Sequence, residues 1–298
     1  MIGAFPLFTP VSAQNVALLH ARTKKFPNYS DLNPSNMLAW NIGDHIAVSE
    51  YKSNLIFKFK DYVQNRYFLT LIGTNEIPAT VDRIVRHAKE LDFDTKLRLV
   101  PEMSIQHIKR ESGIFIQEDI DNHDYIINLR RLVEMTGRRH RHVRTAVKHF
   151  TQQHASDSEL VPLDLDNPYD TKQILKVFQD RESARSQPNI NEKTALMRLI
   201  QHQDLFKLHT YGLAIQGKLS AFIICEEQDN GFSTGHFWKA DAAHKGIYPY
   251  FLRSVASKLI EKNINEMNIE QDLGIAGLRM SKGFLCPTSY LKKYTVWT

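Results

Sequence analysis

The stretch Gly235-His-Phe-Trp-Lys-Ala-Asp-Ala-Ala-His-Lys-Gly-Ile-Tyr248 decides the fold. Gly235–Ala240 has strand composition, Asp241–Gly246 reads as a turn, and a long helix is expected over Ile247–Lys262. Upstream lie three β-rich runs, Phe206–Ile215, Lys218–Glu226 and Gly231–Lys239. Gln216-Gly217 and Asp229-Asn230-Gly231 separate them. Both are hairpin signals, because these residues tolerate the left-handed backbone of tight turns. Helical patterns at Arg138–Gln152, Thr171–Arg181 and Glu192–Gln201 come first, and a strand at Glu266–Glu270 comes last.

The first half repeats that order. A helix at Ala13–Lys25 leads into a loop with Pro27, Asn28 and Pro34, then strands at Ile46–Glu50, Asn54–Phe59 and Tyr67–Ile72. An amphipathic helix over Ala79–Leu91 carries Val81, Ile84, Val85 and Ala88 on one side. Lys96–Val100 and Asp124–Ile127 are strand candidates, and Glu102–Arg110 a short helix. The expected class is α/β (α+β): two lobes, each a mixed, mainly antiparallel sheet flanked by helices. A boundary near Asn128–Gly137 divides the chain into lobes of 1–135 and 136–298, the second carrying the active site.

Composition narrows the function classes. With 298 residues, 42% of them hydrophobic, the chain can bury a sizeable core, and its net charge of +5 suits an anionic partner. Two cysteines, Cys225 and Cys286, make neither a disulfide framework nor a metal set; buried thiols in a reducing compartment are expected. Met1–Phe8 is apolar, but Pro6 and Pro10 interrupt it and no cationic segment precedes it, so a signal peptide is not expected. No run of about 18 apolar residues suggests a membrane span. The expectation is a soluble, cytoplasmic protein.

Chemistry concentrates in the tail Ile269-Glu-Gln-Asp-Leu-Gly-Ile-Ala-Gly-Leu-Arg-Met-Ser-Lys-Gly-Phe-Leu-Cys-Pro287. Asp272, Gly274, Gly277, Arg279 and Lys282 follow a predicted strand, and Arg279 and Lys282 are three apart, on one face of a helix. Glycines ahead of a helix start let backbone amides approach an anion. Asp272 is the first candidate for a base or for orienting a substrate, and Asp241 the second. Arg279, Lys282 and Lys239 are the cations for an oxyanion or a phosphate. Lys239 and Asp241 share a strand face by period two. Asp272, Arg279, Lys282 and Lys239 are expected to converge on one hollow. A zinc site at His140 and His142 lacks supporting ligands, His236 reads as a core residue, and Ser281 has no His-Asp partner.

Four segments together resemble the C-terminal catalytic domain of phosphatidylglycerol lysyltransferases and its free-standing relatives. They are Asp124–Gly137, Arg141–Phe150, His236–Asp241 with Gly246-Ile-Tyr248, and Asp272–Lys282 followed by Pro287. The resemblance implies tandem GNAT-like lobes, no tightly bound cofactor, and transfer of an aminoacyl group from aminoacyl-tRNA to a hydroxyl or amine, a phospholipid head group among the candidates. It also implies that Arg144 points into the cleft, while Gly246 and Tyr248 are placed to face the donor. An acyl-CoA donor is the alternative. Gly246 is the one glycine of a turn that, in GNAT enzymes, holds the carrier's phosphates. A third reading, from another class, is a non-catalytic module binding RNA or an anionic membrane.

Arg130, Arg131, Arg138, Arg139, Arg141, Arg144 and Lys148 crowd a segment with one acid, Glu134. Arg138, Arg139, Arg141 and Lys148 are its candidates for tRNA phosphates. Affinity for tRNA, measured by filter binding between about 50 and 200 mM salt, should therefore fall by an order of magnitude or more. A flat response would remove the phosphate contacts.

Overall fold

The computed structural model describes residues 1–61, 66–106, 108–109, 112–183 and 190–298. The chain forms two compact units. One comprises Met1–Asp124, Gln271–Gly274 and Leu291–Thr298; the other, Tyr125–Glu270 and Ile275–Tyr290. The expected lobes of 1–135 and 136–298 were contiguous; the observed units are not.

In the first unit the elements run β1 (Gly3–Ala4), β2 (Thr9–Pro10), α1 (Val16–Thr23), α2 (Pro34–Trp40), β3 (Ala47–Tyr51), β4 (Asn54–Asp61), β5 (Arg66–Ile72), α3 (Ile77–Glu90), β6 (Leu97–Pro101), α4 (Glu102–Ile105) and β7 (Phe115–Glu118). The main sheet has the order β1-β3-β4-β5, with β2 also on β3. Strands β3, β4 and β5 are the expected antiparallel meander, while β1 lies parallel to β3. Alternation along β4 divides the core. Ile56 meets Val81, Ile84, Val85 and Ala88 of α3, and Leu55 and Phe57 belong to a second cluster with Leu19, Leu32 and Met37. Each fully buried aliphatic side chain contributes about 1.5–3 kcal/mol.

The second unit continues with β8 (Asp124–Asn128), α5 (Leu129–Glu134), α6 (Arg141–His154), β9 (Ser158–Pro162), α7 (Pro168–Ser183), α8 (Ile190–Gln201), β10 (Leu208–Ile215), β11 (Lys218–Gln228), β12 (Phe232–Ala240), α9 (Ile247–Glu261), β13 (Glu266–Asn268), α10 (Ala276–Phe284) and β14 (Ser289–Leu291). Its sheet has the order β14-β8-β13-β12-β11-β10-β9. Both hairpin signals form turns: Gln216 and Gly217 have φ of 52° and 76°, Asn230 and Gly231 61° and 70°. Helix α9 joins β12 to β13, which pair in parallel. Phe251, Val255 and Leu259 of α9 pack with Val143, Val147 and Phe150 of α6 and with Leu213 and Ile223 of the sheet.

Strand β8 pairs with β13, Ile127 opposite Met267, so the segment given to the first lobe builds the second sheet instead. A last strand, β15 (Lys293–Trp297), returns to the first unit between β6 and β7. The sequence reading contained none of β7, β9, β14 or β15. It also made residues 27–34 a loop that continues onward, whereas Asn33 caps α2 by accepting from the Ser35 amide at 2.9 Å, with Pro34 in the first turn. The helix expected over Glu102–Arg110 is the single turn α4, and Arg110 lies outside the described residues.

Gly246 caps α9 at φ 86°, and a Cβ there would stand 2.3 Å from the Ala146 carbonyl oxygen of α6. Gly246→Ala should therefore lower stability by about 2 kcal/mol or more in urea unfolding, since backbone strain and collision add.

Candidate active site

Strand β12 carries two cations out of water. Lys239 Nζ is 2.7 Å from Glu192 Oε1 of α8 and 3.3 Å from Glu182 Oε1 of α7, with the Phe178 ring centroid at 5.3 Å. The ladder sets this direction: Lys239 opposes Phe222 on β11, whereas Ala221 and Ile223 face the core against α6 and α9. A register shift at Ile224/Cys225 leaves His236 unopposed between Gly235 and Phe237. Its side chain is 1% exposed, Nε2 lies 3.0 Å from Glu226 Oε2, and Nδ1 lies 3.9 Å from Glu270 Oε1. The expected core histidine is thus buried and also charged.

Asp241 departs from the expectation. Strand β12 ends at Ala240, and Asp241 Oδ1 accepts from the Ala243 amide at 2.9 Å, bracing the turn before α9. The carboxylates on Lys239 are Glu182 and Glu192, not Asp241. Tyr248 also braces this corner: its hydroxyl is 3.3 Å from both the amide and the carbonyl oxygen of Ala240. Gly246 serves the contact with Ala146. Arg144 does not point away from its own helix's neighbours into a cleft. Its guanidinium donates to the carbonyls of Met135 and Gly137, closing the end of α5.

The tail is a sharply bent path into α10. Glu270, Leu273 and Gly274 have φ of 60°, 56° and 72°. Two non-glycine residues in the left-handed region within four positions store strain of about 1 kcal/mol or more each. Asp272 is fully buried, and its Oδ1 accepts from the Gly274 amide at 2.8 Å. Gly274 precedes α10 as expected, but Gly277 lies inside the helix with open space around it. Arg279 is exposed. Lys282, three residues on, turns back: its ammonium donates to the Ile269 carbonyl and sits 6.0 Å from the Tyr125 ring centroid. Lys239 and Lys282 therefore have different partners, and Asp272 belongs to the other compact unit.

Among the basic residues, Arg139 Nη2 donates to the Pro287 carbonyl at 3.1 Å, and Cys286 Sγ lies 3.1 Å from the Arg139 oxygen. Arg138, Arg141 and Lys148 are exposed and have no ion-pair partner among the described residues. Cys225 and Cys286 are buried thiols, and burial pushes both above the ordinary thiol range.

A charged group in the first unit escaped the sequence reading. Lys293 on β15 is buried, with Nζ 2.8 Å from Asp124 Oδ1, against Asp31, and 3.5 Å from Ser30 Oγ. Asp124 Oδ2 accepts from the Ser30 amide at 2.8 Å, and Gln271 Nε2 donates to Asp31 Oδ1 at 3.1 Å. Nothing in Leu291-Lys-Lys-Tyr294 marks which lysine turns inward. Glu226 was more legible, since the β11–β12 hairpin register brings the end of one strand beside His236.

The buried imidazolium has a pH signature. Burial alone would lower the His236 pKa, but the hydrogen bond to Glu226 and the charges of Glu226 and Glu270 push it up to about 9. With an unfolded value of about 6.5, this stabilisation is fully present below that pH and is lost as pH rises through about 9. Thermal melts from pH 6 to 10 should show that decline in the wild type and a flatter profile in His236→Gln.

A family model for the C-terminal region of phosphatidylglycerol lysyltransferase matches residues 23–297. No curated protein matches the chain. Among solved structures, a conserved protein of unknown function from Bacteroides thetaiotaomicron VPI-5482 is 22% identical, with a TM-score of 0.81 over 99% of both chains. L-PGS from Bacillus licheniformis is 13% identical, with a TM-score of 0.65 over 100% of this chain and 93% of that one. The C-terminal domain of a putative lysylphosphatidylglycerol synthetase from Agrobacterium fabrum is 12% identical, with a TM-score of 0.64 over 95% and 91%. At such identities the likeness carries the fold alone, mixed sheets flanked by helices. Among the described residues no helix is long and apolar enough to cross a membrane. The match spans all but the ends of the sequence, and the chain belongs to the phosphatidylglycerol lysyltransferase C-terminal family.

Proposed function

We propose that this chain is an acyltransferase that moves an aminoacyl group from aminoacyl-tRNA to a hydroxyl or amine acceptor, a phospholipid head group among the candidates. The observation that carries the reading is the tail: a buried carboxylate, Asp272, fixed by the Gly274 amide on a strained path that leads into a helix bearing Arg279 and Lys282. Family membership supports the acyl-transfer chemistry.

An aminoacyl ester is already activated, so the enzyme has to orient it, take a proton and stabilise an oxyanion. The acceptor oxygen or nitrogen bonds to the ester carbonyl carbon, and the bond from that carbon to the tRNA 3′-terminal ribose oxygen breaks. The acceptor's proton ends on that ribose oxygen. Arg279, exposed on α10, meets the oxyanion, and Asp272 fixes the turn through the Gly274 amide. Lys239 already faces two carboxylates, which favours a role in holding α7 and α8 against β12 over one at the oxyanion. Arg138, Arg139, Arg141 and Lys148 supply phosphate contacts for the tRNA. Use of Gly246 against Ala146 counts against an acyl-CoA donor in that turn.

The test incubates purified protein with labelled aminoacyl-tRNAs and a cell extract, then follows label into small molecules and lipids. Asp272→Asn and Arg279→Ala should each cut transfer by about 10²-fold or more with tRNA affinity retained. Charge reversal at Arg138, Arg141 and Lys148 should instead weaken tRNA binding. Full transfer by both tail variants would sink the catalytic assignment.

A further inference from the structure

The first unit holds a cationic corner that the transfer reading leaves unused. Lys58 and Lys60 lie two apart on β4, on one face of the sheet, and Tyr67 on β5 directly opposes Lys60. Both ammoniums approach the same ring, at 5.0 Å for Lys58 and 6.0 Å for Lys60, and Lys58 also lies 5.7 Å from the Phe8 ring centroid. The Tyr67 hydroxyl is hydrogen-bonded to His45 Nδ1 at 2.8 Å. A turn of left-handed residues, Gly43 and Asp44 at φ 75° and 56°, delivers His45 to this end of the sheet, and Phe93 packs against Tyr67 at 5.2 Å between ring centroids.

The nearby acids are committed elsewhere. Asp61, next along β4, falls on the opposite face and pairs with Arg98 at 2.6 Å. Asp92 pairs with Arg66 at 3.2 Å, and Asp94 accepts from the Lys96 amide at 3.0 Å. Neither Lys58 nor Lys60 has an ion-pair partner among the described residues. Contact with a ring offsets little of the repulsion between two ammoniums. Lys58 is half-buried, and the loss of water holds its pKa below the ordinary range. Burial lowers the His45 pKa too, with the charges of Lys60 and then Lys58 adding to it and exposed Asp44 opposing.

We propose that Lys58, Lys60 and the His45–Tyr67 pair form a binding site for a phosphate monoester. A dianion matches the two lysine charges, and its oxygens match the ammonium donors beside the His45–Tyr67 pair. Ring walls at Phe8, Tyr67 and Phe93 lower the local dielectric, which strengthens the attraction over that at an open surface. The site lies wholly within the first unit and does not depend on the aminoacyl-transfer reading.

The test titrates the full chain with inorganic phosphate, and separately with AMP, at ionic strength held constant with sodium chloride, following the His45 ring signals by NMR. Both probes should give saturable shifts and raise the His45 pKa, because the bound anion neutralises the lysines that depress it. Lys58→Gln/Lys60→Gln should bind at least about tenfold more weakly, while Lys58→Arg/Lys60→Arg stays within about threefold of the wild type. Equal titration of wild type and the Gln variant, reproduction of the shifts by chloride alone, or binding of inorganic phosphate without AMP would overturn the assignment.

Discussion

The ammonium of Lys293 is buried where β15 returns to the first unit, and Asp31 and Asp124 neutralise its charge. Burial would drive the proton off, but the two carboxylates outweigh it and hold the lysine above its ordinary range. Removing one partner from such a buried set costs about 3–5 kcal/mol, because the charges left behind stay desolvated. Asp124 and Gln271 are residues at which the chain leaves and re-enters this unit, and both join the same polar group. One desolvated cation thereby gathers the loop at Ser30–Asp31, the start of β8, the bend before α10 and the returning strand.

The second unit applies the same rule on β12. Lys239 and His236 are each withdrawn from solvent and each faced by two carboxylates, so the strand carries positive charge that is locally satisfied. Glu270 is bound into this arrangement while its backbone sits in the left-handed region, with its amide on Asn268 Oδ1 at 2.7 Å. The imidazolium thus helps fix the residue two positions ahead of Asp272. The bend is held by electrostatics and by side-chain caps, Asn268 Oδ1 on the Glu270 amide and Asp272 Oδ1 on the Gly274 amide.

Elements with strong period or turn chemistry were legible in the sequence. The β3–β5 meander, α3, both hairpins and the β12–turn–α9 unit follow from alternation, an apolar stripe at helical spacing, and Gln-Gly and Asn-Gly turns. Strands β7, β9, β14 and β15 were not, since each is short and takes its place from pairing with residues far away in sequence. The tail stands out in the sequence because Asp272, Arg279 and Lys282 are close in the chain. The partners of Lys239 and Lys293 were hidden for the opposite reason: Glu182 and Asp31 are remote, and only tertiary packing selects one acid among many. Asp241 and Arg144 show the converse. Charges that looked available are spent on nearby backbone groups.

The insertion of β15 between β6 and β7 bears on how the chain is made. Its two neighbours leave the ribosome early, but they stay unjoined until residues 293–297 emerge, after the whole second unit has been synthesised. Domains usually mature in the order of their translation. Here the second unit can finish first, while β6 and β7 wait with open edges, exposed to chaperones and to mispairing with other nascent chains.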